Sequence, residues 1–273
     1  MNPAIDVVVI NLASEPRRWL AMQAQFAALG LRARRMEAVA GRDLQPHQRA
    51  ALYSEALNRR QYHQPLCPGE IGCYASHLAL WRALVDSPAE CMAVFEDDMA
   101  PAADLPVVLR ALAHLPGCWD MVKLIGRARS EKLAAARPFA SGRQLVRYRR
   151  VPSLTGAYVV HRRGAQKLLS RRLPFGRPVD VDLRHWWECD LDLFGVWPYP
   201  VQAAPAAHRS TIEDRQRVPR DAASRWRRLV QQAGYSLHNW QARQRPPAAS
   251  DDGSPPPRPA AGGRSDWAQG PVR

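Results

Sequence analysis

The chain has 273 residues, is 46% hydrophobic and carries a formal charge of +14, so it can bury a sizeable core in one or two domains. Only Lys123, Lys132 and Lys167 are lysines. The arginine skew of this Ala- and Pro-rich chain fits GC-rich coding, which weakens the nucleic-acid reading that the charge first suggests. No aromatic-rich basic sheet or recognition-helix signature accompanies it.

Met1–Asp6 leads straight into a strand without a basic start or a long apolar run, so no signal peptide is expected. No stretch approaches the roughly 18 apolar residues of a membrane span. The five cysteines are odd in number and form no C-x-x-C pair, which argues against a zinc site and a secreted disulfide framework. A cytoplasmic chain with reduced thiols is expected.

In chain order, Ile5–Leu12 is an apolar, β-branched run of the kind found in a central parallel strand. Ser14 reads as an N-cap, with Pro16 in the first turn of a helix running to about Leu29 and closed by Gly30. Leu31–Val39 resembles a second strand, and residues 46–62 a polar helix. A strong helix covers Glu70–Asp86 and stops at Ser87-Pro88; Glu70 suits its first turn as an acid. A strand ending at Glu96-Asp97-Asp98 follows, then a helix near Leu105–Leu115 and a strand over Asp120–Ile125. Tyr148–Pro152 and Ala157–His161 read as shorter strands and Gly164–Arg171 as a helix. This alternation predicts an α/β fold with an open, mostly parallel sheet flanked by helices.

Domain limits are expected at 1–215 for the α/β unit, 216–243 for a basic helical extension, and 244–273 for a disordered Pro/Gly/Ala-rich tail. The basic segment from Arg209 to Arg228 suits a peripheral contact with an anionic membrane, at about 1 kcal/mol per cationic residue. A solvated charged helix is the competing reading.

The triplet Glu96-Asp97-Asp98 carries the chemistry. Three like charges at a strand tip repel unless something cationic sits there. Side chains alternate along a strand, so Glu96 and Asp98 should share one side and Asp97 the other. Two hard oxygen donors at a sheet edge suit Mn²⁺ or Mg²⁺, which would neutralise a diphosphate. A solvated acidic turn is the bland alternative.

Taken in order, several motifs resemble glycosyltransferase family 25 of the lipooligosaccharide β-galactosyltransferase type, over about residues 5–215. They are Val9-Ile10-Asn11-Leu12 with Arg17-Arg18, Ala38-Val39-Ala40-Gly41, Gly69 through His77 with Trp81, and Phe95-Glu96-Asp97-Asp98. Trp119-Asp120, Gly156-Ala157-Tyr158, Arg163-Gly164-Ala165 and Pro178-Val179-Asp180 complete the set.

The resemblance implies a GT-A-type fold that binds a nucleotide sugar through a divalent ion on an Asp-x-Asp-like element, here the triplet. Asp98 is the first choice of metal ligand, with Glu96 assisting or holding the ribose, and Asp97 is counted with the donor site or faces the protein. Arg17, nearer the strand tip than Arg18, is expected on donor phosphate or uridine oxygens; a solvated helix face competes. His77 is expected near the donor, against the reading of a satisfied core histidine, and Gly156 where backbone approaches a sugar.

A β-product from an α-linked donor implies one inverting displacement with a carboxylate as base. Asp182, Glu188, Asp190 and Asp192 are candidates, and Asp180 is favoured because it matches the family's Pro-x-Asp element. Its competitor role is N-cap of a helix over Val181–Phe194. His208 is a candidate third metal ligand, and residues 126–150 a candidate acceptor loop.

The expected function is transfer of a hexose, galactose from UDP-galactose, to a lipooligosaccharide or LPS glycan. Another donor, a protein hydroxyl acceptor, or a catalytically silent binding module are the alternatives.

Overall fold

The computed structural model describes residues 5–115, 119–127, 132–204 and 222–244. In chain order the first half holds β1 (Asp6–Asn11), α1 (Pro16–Ala28), β2 (Ala33–Glu37), α2 (Pro46–Leu52), α3 (Glu55–Gln61), α4 (Pro68–Asp86), β3 (Cys91–Glu96), β4 (Met99–Pro101) and α5 (Leu105–Ala113). Then follow β5 (Met121–Lys123), β6 (Leu133–Pro138), β7 (Gln144–Tyr148), β8 (Ala157–His161), α6 (Arg162–Arg171), α7 (Val179–Asp182), β9 (Leu193–Trp197), β10 (Val201–Ala203) and α8 (Ala222–Gln244).

Eight strands form one sheet in the order β2-β1-β3-β8-β5-β9-β7-β6. β1 pairs in parallel with β2 and β3, and β5 with β9, whereas β7 and β8 run against their neighbours. The sheet is therefore largely parallel but mixed. β10 pairs with β4 in a separate two-stranded ribbon.

Strand alternation sorts the core into two layers. Val8, Ile10, Met92, Val94, Met121, Tyr158 and Val160 face α4, and pack with Ile71, Tyr74, Leu78 and Trp81. Val7, Val9, Ala93, Phe95, Val122 and Val159 face the other way, onto Met22 and Phe26 of α1 and Leu105, Val108 and Leu112 of α5.

Several local expectations need correction. α1 is capped at Glu15, one residue after Ser14, because Pro16 occupies the first turn. The helix expected over 46–62 is two helices, broken where Tyr53 bridges to Phe175 and Ser54 caps α3 through Leu57 N–H. No helix runs from Val181 to Phe194: α7 ends at Asp182, a short 3₁₀ turn covers Trp186–Glu188, and β9 takes the apolar end. The strand expected at Tyr148–Pro152 lies earlier, over Gln144–Tyr148, and pairs with β6. Much of the supposed acceptor loop at 126–150 is thus a hairpin at the sheet edge.

Two motifs are explained by packing. The loop after β2 presses onto the start of α4. A Cβ on Gly41 would lie 1.8 Å from the Pro68 carbonyl oxygen, and one on Gly72 would lie 2.4 Å from that of Val39. Ser76 Oγ receives the Val39 N–H at 2.8 Å and donates to the Gly72 carbonyl. Likewise Asp120, fully buried, accepts from Arg163 Nε at 2.7 Å, Lys167 Nζ at 2.8 Å and the Asp192 N–H at 2.8 Å. A Cβ on Gly164 would meet the Asp120 carbonyl oxygen at 2.3 Å.

Because the atoms opposing Gly72 are backbone, they cannot step aside as a side chain can. Gly72→Ala is expected to destabilise the fold by about 1–3 kcal/mol, read as a lower urea midpoint. An unchanged midpoint would show that the loop does not hold α4 in register.

Candidate active site

The C-terminal ends of β1, β3 and β5 gather polar residues between α1 and α4. Glu96 follows the parity of Met92 and Val94 and so faces α4. Its Oε1 accepts from Thr155 Oγ1 at 3.0 Å and lies 3.7 Å from His77 Nε2, while its N–H donates to the Gly156 carbonyl at 2.8 Å. Burial pushes the Glu96 carboxyl up, but His77, Thr155 and Lys123 outweigh that and hold it below the usual carboxylate range.

Asp97 turns to the opposite side. It accepts from Asn11 Nδ2 at 2.6 Å and from Arg18 at 3.4 Å. Here burial prevails, and the carboxyl sits above its ordinary value. The alternation reading of the triplet therefore holds for Glu96 and Asp97. Arg18, rather than the favoured Arg17, stands at the triplet; Arg17 is exposed on the first turn of α1.

Asp98 is the least satisfied of the three. Its Oδ1 is buried without a hydrogen-bond partner. Burial, then the charges of Glu96 and Asp97, raise its carboxyl to about 6. A buried, unpartnered carboxylate oxygen beside a second carboxylate is a natural seat for a cation.

His77 is fully buried. Its Nδ1 lies 2.8 Å from the Tyr158 hydroxyl, which also accepts from Trp81 Nε1 at 3.0 Å. With the indole N–H already on that oxygen, the phenol proton is free to point at Nδ1. The Nε2–H tautomer then faces Glu96. His77 thus has a core partner and a site-facing nitrogen at once, and among the described residues Nε2 has no hydrogen bond. Cys73 Sγ, a His77 ring nitrogen and a Glu96 oxygen lie within 4.8 Å of one another and form a group able to hold a metal ion. The oxygens of Glu96 and Asp98 match a hard ion, whereas thiolate and imidazole match a softer one.

Asp180 belongs to the same neighbourhood. Burial raises its carboxyl, the Val181 N–H and Lys123 oppose this, and Glu96 and Glu70 add to the rise. The Cys73 thiol is pushed up by burial and then by the charges of Glu96, Asp180, Glu70 and Asp98. Asp180 is not a helix cap, for Pro178 holds that position and Asp180 Oδ1 accepts only the next N–H, at 2.8 Å.

Three of the other base candidates are engaged elsewhere. Asp182 is buried against Arg177 at 2.5 Å, Arg172 at 3.2 Å and the Tyr74 hydroxyl. Glu188 pairs with Arg172 and Arg177 and is held at about 2: burial opposes this, but the Arg177 and Arg172 contacts prevail. Asp192 pairs with Arg147 at 2.7 Å. Asp190 lies in a left-handed turn with φ of 52°, where its carbonyl accepts from Lys167.

Gly156 and Glu70 have structural roles here. The space beside Gly156 is filled by Met99, whose sulfur would lie 2.5 Å from an added Cβ, so this glycine serves Glu96 and Met99 packing. Glu70 caps α4 by accepting the Cys67 N–H at 2.9 Å. His208 lies outside the described residues. Lys123, buried under this cluster and donating to the Leu154 carbonyl, escaped sequence reasoning. Its one signal was a lysine in the otherwise apolar run Met121–Ile125.

Residues 4–116 match glycosyltransferase family 25 (LPS biosynthesis protein). The chain is similar to procollagen galactosyltransferase 2 of Homo sapiens, 31% identical over 186 residues, covering 65% of this chain and 29% of that protein. It is similar to procollagen galactosyltransferase 1-A of Xenopus laevis, 30% identical over 184 residues, with 65% and 30% covered. A probable inactive glycosyltransferase 25 family member 3 of Rattus norvegicus is 28% identical over 231 residues, with 76% and 39% covered. The chain spans about a third of the length of these relatives. The match over residues 4–116 takes in the acidic triplet, Arg18 and His77.

The state of Asp98 predicts a pH response. Its carboxyl is at about 6 in the folded chain against 3.8 for the ordinary group, so the folded chain keeps this proton longer than the unfolded one. The penalty is absent below about pH 4, grows as pH rises, and is complete above about pH 6, where it reaches at most about 3 kcal/mol. In EDTA, Asp98→Asn should therefore stabilise the chain at pH 7 by about 1–3 kcal/mol and leave it unchanged near pH 4. Equal effects at both pH values, by chemical denaturation, would contradict this assignment.

Proposed function

We propose that the chain is a metal-dependent glycosyltransferase with a GT-A-like fold, moving galactose from UDP-galactose to a glycan of the lipooligosaccharide or LPS type by inverting displacement. The observation that carries this reading is the buried, unpartnered Asp98 Oδ1 beside Glu96, inside the segment that matches family 25. Galactose is chosen because relatives of the chain are named galactosyltransferases.

Asp98 and Glu96 would hold Mn²⁺ or Mg²⁺, with His208 as a candidate further ligand. When bound, such an ion neutralises the donor diphosphate and the charge that develops on the leaving nucleoside diphosphate. The remaining roles fall to side chains. Arg18 and Asn11 hold Asp97 away from the ion side and keep the triplet splayed. Thr155 and the Gly156 carbonyl orient Glu96, and His77 is locked by Tyr158 and Trp81 with Nε2 toward it. Asp180, with its carboxyl raised by burial, is the base that takes the acceptor hydroxyl proton as the glycosidic bond forms.

A protein hydroxyl acceptor is the second reading, favoured by the procollagen galactosyltransferases among the relatives. A silent module is the third, since a probable inactive family member is also similar.

The deciding experiment incubates the chain with a panel of nucleotide sugars and Mn²⁺ or EDTA and scores nucleotide release. Release from UDP-galactose, lost in EDTA and in Asp98→Ala, is expected. Asp180→Asn should lower transfer roughly 10²–10⁴-fold while leaving Mn²⁺-dependent nucleotide binding intact. Neither release nor Mn²⁺-dependent binding would defeat the enzyme reading. Transfer to a hydroxylysine peptide but not to a glycan would move the acceptor to protein.

A further inference from the structure

α8 has two unlike faces. Tyr235, Asn239 and Ala242 are buried against the body of the protein. Asn239 Nδ2 donates to the Arg149 carbonyl at 2.8 Å, and its Oδ1 accepts from Trp186 Nε1 at 3.2 Å. Tyr235 packs on the rings of His185 and Trp187, with the Arg150 and Arg184 guanidinium groups over its face.

The opposite face is apolar and open. Trp226, Leu229, Val230, Leu237 and Trp240 are 67%, 59%, 51%, 52% and 59% exposed. With the exposed Ala233 they fall at spacings of 3, 4, 7, 11 and 14 from Trp226, which keeps them on one stripe at about 100° per residue. The stripe is half a turn away from Tyr235, Asn239 and Ala242. Its terminal tryptophans stand about 21 Å apart along the helix. Arg225 and Arg243 flank one side and Arg227 the other, and residues 222–244 contain no acidic residue.

We infer that α8 is a membrane-surface helix whose outward stripe lies in the interface of an anionic bilayer. An apolar stripe edged by arginines and ended by tryptophans matches the three parts of such an interface: acyl chains, anionic headgroups and the boundary where indole rings settle. The basic segment read from the sequence could supply only electrostatic attraction; the folded helix adds the inserting face. A second copy of the chain fits less well, because pairing through the stripe would set arginine-lined edges against each other. No helix among the described residues is long and apolar enough to cross a membrane, so the contact is one of lying on the surface. The inference does not depend on the glycosyl-transfer reading.

The test uses the full chain and flotation with phosphatidylcholine vesicles, with or without phosphatidylglycerol. Binding is expected to the anionic vesicles and to weaken with salt. Leu229→Gln with Leu237→Gln leaves the charge unchanged and removes apolar contact at exposed positions. It should weaken binding roughly tenfold or more without moving the melting temperature. Arg225→Gln with Arg227→Gln should weaken binding and flatten its salt dependence. Absence of binding, equal binding to neutral vesicles, or undiminished binding by the Leu pair would overturn the proposal. So would a concentration-dependent dimer that the Leu pair abolishes, which would assign the stripe to a second copy.

Discussion

Three consecutive carboxylates repel one another wherever they share a low-dielectric edge, and the way β3 ends is the constraint around which this protein is arranged. Strand parity sends Glu96 toward α4, where His77, Thr155 and Lys123 compensate its charge. Asp97, in the turn that follows, lies on the side of α1, where Asn11 and Arg18 receive it. Asp98 follows in the turn without equivalent support, and its carboxyl rises to about 6, burial first and the neighbouring acids next. Only Glu96 is held below its ordinary range; Asp97 and, more strongly, Asp98 stay raised. The proposed cation seat rests on that asymmetry.

The scaffold holding this edge relies on close backbone contacts and buried ion pairs. Gly41 and Gly72 bring the loop after β2 onto the start of α4, fixing the helix that carries Cys73 and His77. Asp120 ties α6 to the strand that carries Lys123. Asp182 and Glu188, bound by Arg172 and Arg177, pin the segment that presents Asp180. Motifs that read together as one signature thus divide into residues that face the site and residues that aim them.

α8 links that segment to the surface. Asn239 and Tyr235 grip residues 184–187, only a few positions beyond Asp180. The helix that carries the outward stripe is thus anchored, through its other face, to the segment that follows α7.

Much of the site was legible in order along the chain. The triplet and the parting of Glu96 from Asp97 required only local periodicity, whereas the α4 motif and Asp180 were picked out by the resemblance to family 25. What was not legible depended on partners far away in sequence. Arg18 rather than Arg17 meets Asp97 because it lies on the half-buried side of α1, while Arg17 faces outward. The Val181–Phe194 helix failed because Asp182 and Glu188 are held by arginines from outside α7, and β9 finds its strand partners in β5 and β7. Lys123 looked like an interruption in a strand until folding placed it under Glu96 and Asp180. Local sequence thus determined which chemical groups exist and that Glu96 and Asp97 part to opposite sides, since alternation is a property of the extended chain itself. Only the tertiary structure decided which of those groups are compensated, because charge balance in a buried site is set by neighbours that the chain brings in from a distance.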